Sequence, residues 1–234
     1  MTACKTIGIL GGMGPAATVE FFRRLVGATP ATIDQNHLHI LIDNDPSVPD
    51  RTLALLRDGP SPEPALAAMA RRLASAGAEV LAMPCNTAHA FLDAIRAAVA
   101  VTVVDMIAET ADRVGSGTVG LLATSGTIES GVYRRVLDAR GIRLVVPDGD
   151  AQRTVGRAIE AIKAGRDLAE VEHAVLPVAE SLRNLGAEVI VAGCTEISLL
   201  DGGRMPIRWV DALDCLVEAT IDAASMDVRC KEDE

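Results

Sequence analysis

The stretch Gly77-Ala-Glu-Val-Leu-Ala-Met-Pro-Cys85 returns as Gly186-Ala-Glu-Val-Ile-Val-Ala-Gly-Cys194, so one glycine-led apolar run ending in a cysteine occurs twice, 109 positions apart. A second pair, Gly8-Ile-Leu-Gly-Gly-Met-Gly14 and Gly120-Leu-Leu-Ala-Thr-Ser-Gly126, recurs at 112 positions and in the same order relative to the first. Two copies make a duplicated lobe rather than a solenoid, which needs at least three stacked units. Outward from these runs, apolar segments at 6–10, 37–42, 79–83, 118–123, 142–146 and 188–192 read as strands. Between and after them, 15–27, 64–75, 86–98, 151–165, 167–184 and 211–224 read as helices, the first opened by Pro15 and closed by Gly27.

Alternation of this kind produces parallel sheets covered on both faces. The expected fold is therefore α/β: two similar lobes with parallel sheets flanked by helices, pseudo-two-fold related, with the active site in the cleft between them. Residues 1–100 plus a returning helix in 208–234 form the N-terminal lobe, and 101–207 form the second. The joints at 99–104 and 206–211 predict hinge closure. The charged end, 229–234, reads as frayed surface.

Composition removes several function classes. Of 234 residues, 22 are basic and 32 acidic, a formal charge of −10 that repels nucleic acid and anionic lipid alike. Aromatic residues are 2% of the chain, which leaves little on which bases can stack. No stretch reaches the roughly 18 uncharged apolar residues of a membrane helix, and residues 1–14 lack the pattern of a signal peptide. The expectation is a cytoplasmic protein with a small-molecule substrate and neither nucleic-acid nor membrane partners. The five cysteines are odd in number and form no CxxC pair, and His37, His39 and His173 form no metal-ligand cluster. Free thiols and no metal are expected, with Cys4, Cys215 and Cys230 as small apolar filler.

Cys85 and Cys194 read differently because each ends a buried strand, and ligands of open parallel sheets bind at the carboxyl ends of strands. A two-fold carrying one thiol onto the other places them on opposite faces of whatever lies between. One thiolate removing an α-proton and the other thiol returning one to the far face inverts a carbon acid. Twice a near-attack distance puts the sulfurs roughly 6–7 Å apart, beyond disulfide reach. The thiols must ionise near neutrality, and the short polar residues after each, Asn86-Thr87 and Thr195-Glu196, favour this as helix openers. A repelling pair works as one thiolate and one thiol. His89, one turn after Cys85, either polarises that thiol or packs.

Gly12, Gly14 and Ala17 satisfy dinucleotide-fingerprint spacing, but Pro15 lies inside the match and no GK[ST] occurs. Carboxylate binding by backbone amides here, around Met13, and at Thr124 to Thr127 is the better reading, with tight-turn packing its alternative. Arg51, in the polar loop Pro49-Asp-Arg-Thr52 after the second strand, can grip a carboxylate through two parallel hydrogen bonds at the Cys85 end of the sheet. Lys163 is one of only three lysines and either reaches substrate or caps its helix. That scarcity argues against pyridoxal phosphate, which needs a Schiff-base lysine.

The motifs Gly8-Ile-Leu-Gly-Gly-Met-Gly-Pro15, Pro49-Asp-Arg-Thr52, Met83-Pro-Cys-Asn-Thr-Ala-His89, Gly120-Leu-Leu-Ala-Thr-Ser-Gly-Thr127, Ser130-Gly-Val-Tyr133 and Gly193-Cys-Thr-Glu196 span nearly the whole chain. In them the sequence resembles the cofactor-independent aspartate/glutamate racemase family, and most its aspartate racemase branch. The resemblance implies an isomerase that interconverts L- and D-aspartate with Cys85 and Cys194 as its two acid/base thiols, no cofactor, and commonly a homodimer. It further implies that Asn86, Thr87, Thr124, Thr127 and Thr195 hold the α-carboxylate and amino group, that Arg51 and Lys163 reach the side-chain carboxylate, and that Glu196 supports Cys194 or the ammonium, with Met13 also counted among the substrate-binding residues. Where the family often carries asparagines, this chain has Asp43-Asn44-Asp45. An acid there facing the site would repel a second carboxylate, so glutamate or a broader amino-acid range stays open. So do an inactive amino-acid binding protein and another reaction, such as isomerisation or decarboxylation, at the same cleft.

Overall fold

The computed structural model describes residues 4–229. Eight strands form two parallel four-stranded sheets. In the first, β1 (Ile7–Gly11) and β3 (Val80–Ala82) are inner, with β2 (Ile40–Asn44) and β4 (Thr102–Val103) at the edges, giving the order β2-β1-β3-β4. In the second, β5 (Thr118–Ala123) and β7 (Val189–Gly193) are inner, with β6 (Arg143–Val145) and β8 (Arg208–Asp211) outside, giving β6-β5-β7-β8. The two orders are the same, which is the sequence duplication seen as topology. β1 and β7 are buried at every residue and β2 is not, as expected of inner strands covered on both faces and an edge strand.

The chain divides into two compact units, one of Met1–Asp50, Pro60–Met106 and Leu213–Glu234, the other of Arg51–Gly59 and Ile107–Ala212. The repeated glycines serve one packing device in both. A Cβ on Gly8 would stand 3.2 Å from Leu73 Cβ and 2.8 Å from Ala78 Cβ; on Gly120 it would stand 3.1 Å from Leu182 Cβ and 3.2 Å from Ala187 Cβ. Each glycine thus lets one helix, Glu63–Ser75 or Leu168–Asn184, approach its sheet closely. One apolar cluster, including Leu66, Met69, Leu81 and Ile95, carries Met13 and Cys85 within it. Its counterpart, including Val155, Ile159, Leu182 and Ile190, carries Cys194.

Several expectations are corrected. The joints anticipated at 99–104 and 206–211 contain the edge strands β4 and β8, whose two and four residues are too short to show periodicity. Residues 86–98 are a 3-10 turn, Thr87–Phe91, followed by the helix Leu92–Ala98. Gly27 lies within its helix, which runs Pro15–Ala28 and ends on the Thr29 amide bonded to the Leu25 carbonyl. The polar loop at Arg51 is instead the first turn of a helix, Arg51–Leu56. Cys4 is exposed rather than filler, whereas Cys215 is buried. Cys230 and the rest of the tail beyond Arg229 lie outside the described residues. Among the described residues, no helix is long and apolar enough to cross a membrane.

Candidate active site

Two half-sites, one per unit, gather most of the residues singled out above. In the first, Pro84 has no amide to donate to a sheet ladder, and β3 stops short of Cys85. The chain folds back tightly there, with the Cys85 amide donating to the Met83 carbonyl at 2.8 Å. Asn86 and Thr87, both buried, open the 3-10 turn that follows. Met13 lies in the same apolar cluster as Cys85. His89 does not polarise the thiol: its Nδ1 lies 2.8 Å from the Cys85 carbonyl oxygen, and its Nε2 accepts the Met106 amide at 3.2 Å. Burial pushes its pKa below the ordinary histidine value, so the ring is neutral.

The glycine-rich turn before it is shaped by packing. Gly12 sits at φ 94° with its own amide donating to Thr18 Oγ1 at 2.9 Å, and Asp45 donates its amide to the Gly11 carbonyl. The acids of the neighbouring loop are also engaged. Asp43 accepts from Arg72 Nε at 2.9 Å with Nη2 at 2.7 Å, and Asp45 accepts from the Ser47 hydroxyl at 2.6 Å. Hydrogen bonds from Ser47 hold the Asp45 carboxyl below its ordinary range. Arg72 compensates the charge of Asp43, which removes much of the case for repulsion of a second substrate carboxylate.

In the second half-site Gly193 stands where the first has Pro84, so β7 continues to the cysteine. Cys194 donates its thiol to Glu196 Oε2 at 2.9 Å, with Thr195 Oγ1 at 3.4 Å from that oxygen and Lys163 Nζ 3.8 Å from Oε1. Lys163 ends the helix Gly149–Lys163, so it keeps the helix-end position and adds the acid contact. Thr124 caps the helix Ser125–Glu129 by accepting the Thr127 amide at 3.1 Å, and the two hydroxyls lie 3.0 Å apart. Arg51 belongs to this unit, whereas the sequence reading set it beside Cys85 at the end of the first sheet. A Cβ on Gly126 would come 2.6 Å from Thr52 Oγ1, which shows how closely the arginine's helix lies on Thr124–Thr127.

The expected lowering of both thiol pKa values fails at Cys194. Burial, and then the Glu196 carboxylate, push this thiol well above its ordinary value. A hydroxyl or amide helix opener does not offset a carboxylate at hydrogen-bond distance. In Glu196→Gln a charge opposing the thiolate is gone, so the pH midpoint for iodoacetamide alkylation of Cys194, read on its peptide by mass spectrometry, is expected to fall. An unmoved midpoint would leave burial as the sole cause.

Sequence reasoning overlooked Thr52, Arg72, and Gln152, whose Nε2 donates to the Ala123 carbonyl at 2.9 Å. It overlooked Ser198 as well, whose hydroxyl lies 2.5 Å from Asp211 Oδ1. Thr52 had a signal in the Pro49-Asp-Arg-Thr52 motif, and Ser198 had one in its offset from Cys194, the same that His89 has from Cys85. Among the described residues, no group of three His, Cys, Asp or Glu could hold a metal ion.

The family described as Asp/Glu/Hydantoin racemase matches residues 10–220 of this chain. The chain belongs to that family. It is 28% identical over 225 residues to the broad specificity amino-acid racemase RacX of Bacillus subtilis, spanning 92% of this chain and 96% of that one. The solved structure of Picrophilus torridus aspartate racemase superposes with a TM-score of 0.84 at 33% identity, over 94% of each chain. A glutamate racemase of Corynebacterium kroppenstedtii is 34% identical over 140 residues, 58% of this chain and 48% of that protein. The two-sheet α/β architecture and membership of a racemase family thus agree with the sequence reading.

Proposed function

We propose that the protein is an amino-acid racemase that needs no pyridoxal phosphate or metal, with aspartate its first candidate substrate. Cys85 and Cys194 act as its paired base and acid. The observation that carries this reading is that each cysteine, 6% exposed, follows the same inner strand of one of two sheets with the same strand order. In one direction a thiolate takes the α-proton, breaking Cα–H and forming S–H, and the opposite thiol then gives its proton to the other face of the planar carbanion. The bond of Cys194 to Glu196 supports a working state in which Cys194 holds the proton and Cys85 acts as the base.

Thr124, Thr127, Asn86, Thr87 and Thr195 supply hydroxyl and amide groups to the α-carboxylate and amino group, with Met13 packing alongside. Arg51 and Lys163 take the side-chain carboxylate. Preorganised donors of this kind stabilise a carbanion that a thiol alone is too weak a base to form in water. Aspartate is favoured by the Picrophilus likeness and by the compensated charge at Asp43, while the likeness to RacX supports a wider range. A cytoplasmic homodimer completes the proposal.

The test is NMR of the purified protein with L-aspartate, and separately L-glutamate, in deuterated buffer without added cofactor, alongside chiral analysis. Loss of the α-proton with appearance of the D-enantiomer is expected for aspartate. Binding of both without exchange would favour an amino-acid binding protein instead.

A further inference from the structure

We propose that His89 is a positioning residue for Cys85, holding the backbone that carries this thiol through a single imidazole tautomer. The inference rests on the two-base racemase reading. Four residues after each cysteine, a side chain turns back toward that cysteine's carbonyl: His89 Nδ1 at 2.8 Å in the first half-site and Ser198 Oγ at 3.4 Å in the second. The second half-site also has an ordinary helical bond, the Ser198 amide to the Cys194 carbonyl at 3.1 Å. In the first, the corresponding amide, that of His89, goes to the Asn86 carbonyl instead, and the imidazole takes the carbonyl of Cys85. A side chain therefore does in one copy what the main chain does in the other.

The other end of the ring fixes its chemistry. A main-chain N–H, that of Met106, lies 3.2 Å from Nε2 while the Val104 main chain also bonds the ring, and the tautomer with its proton on Nδ1 is the one that satisfies the Met106 amide and the Cys85 carbonyl together. A neutral ring is what this arrangement requires, and the burial of His89 favours it. With the Cys85 amide already bonded to the Met83 carbonyl, both main-chain polar groups of Cys85 are anchored, and the direction of its Cα–Cβ bond is set. Proton abstraction from carbon is sensitive to such placement, since a shift of about 1 Å costs on the order of 100-fold.

Damage at His89 is therefore one-sided, and one-base chemistry can reveal it. A 3-chloro derivative of the substrate loses chloride from Cβ once its α-proton is taken, and the resulting enamine hydrolyses to a keto acid and ammonia. This elimination needs only the base facing that enantiomer. The experiment uses the purified full chain, the aspartate or glutamate that it inverts, and the 3-chloro derivatives of both enantiomers. In His89→Leu, inversion is expected to fall about 100-fold in both directions. Elimination should fall equally for the enantiomer facing Cys85 and stay near wild type for the one facing Cys194. His89→Asn, whose side-chain amide occupies the place of Nδ1, is expected to recover inversion to within about tenfold of wild type.

Equal loss of both eliminations, or unchanged inversion in His89→Leu, would overturn the proposal. If the leucine variant does not fold, His89→Gln replaces it, its amide standing at the place of Nε2. One-sided elimination is then expected in the glutamine variant and not in the asparagine variant, and like behaviour of the two overturns the role. A wild type inert toward aspartate, glutamate and the wider range of amino acids would remove the racemase reading and this role together, whereas an active wild type with symmetric loss removes only the role of His89.

Discussion

Cys85→Ser and Cys194→Ser are each expected to lower racemisation by at least about a thousandfold, measured by chiral chromatography in both directions. Serine keeps the shape of the side chain and loses the chemistry, because an alcohol does not ionise near neutral pH. The equal size of the two losses follows from the mechanism: inversion needs one group to take a proton and the other to give one, so neither half suffices. Both thiols are buried within apolar clusters, and a hydroxyl there disturbs packing only slightly. Thermal melting close to wild type separates lost chemistry from lost fold. Full turnover in either single variant would remove the two-base assignment and leave a one-cysteine reaction.

The second large effect is on folding. Gly12→Ala is expected to cost about 3 kcal/mol, because φ at this residue is 94° and the added Cβ would fall on the main chain of Asp45. No rotamer change relieves a clash with backbone, and the turn is further held by the Gly12 amide on Thr18. For a chain of this size the apparent Tm should drop by roughly 6–12 °C. Gly77→Ala is the useful comparison: its φ is 105°, but its Cβ would meet nothing within 4 Å, so it isolates the backbone term. An equal loss in both variants would mean that the contact with Asp45 adds nothing.

Much of this could be read from the sequence because inner parallel strands are continuous apolar runs. Strand β5 begins and ends where the pattern at 118–123 puts it, and the duplicated Gly-Ala-Glu-Val runs lead to both cysteines. Edge strands are less uniform: β2 overlaps the apolar run at 37–42 and β6 lies in that at 142–146, whereas β4 and β8 read as linkers because their two and four residues show no period. The contacts of Arg51 were illegible for another reason. Nothing local says that a helix following the second strand of one sheet will pack with the other unit. The environment of Cys194 was misjudged because its neighbour Glu196, read as support, is also a negative charge beside a nascent thiolate.

The division of the helices has a consequence for how such a chain arises. The helix after β4, Met106–Val114, belongs almost entirely to the second unit, and the helix after β8, Ala212–Arg229, almost entirely to the first. Each repeat therefore ends by lending its last helix to the other. A single ancestral repeat with this pattern could complete its own layer only by exchanging that helix with a second copy, as a swapped dimer. Joining the two copies end to end turns a reciprocal loan between molecules into one within a molecule. It also means that during synthesis the first unit stays unfinished until the last helix has left the ribosome.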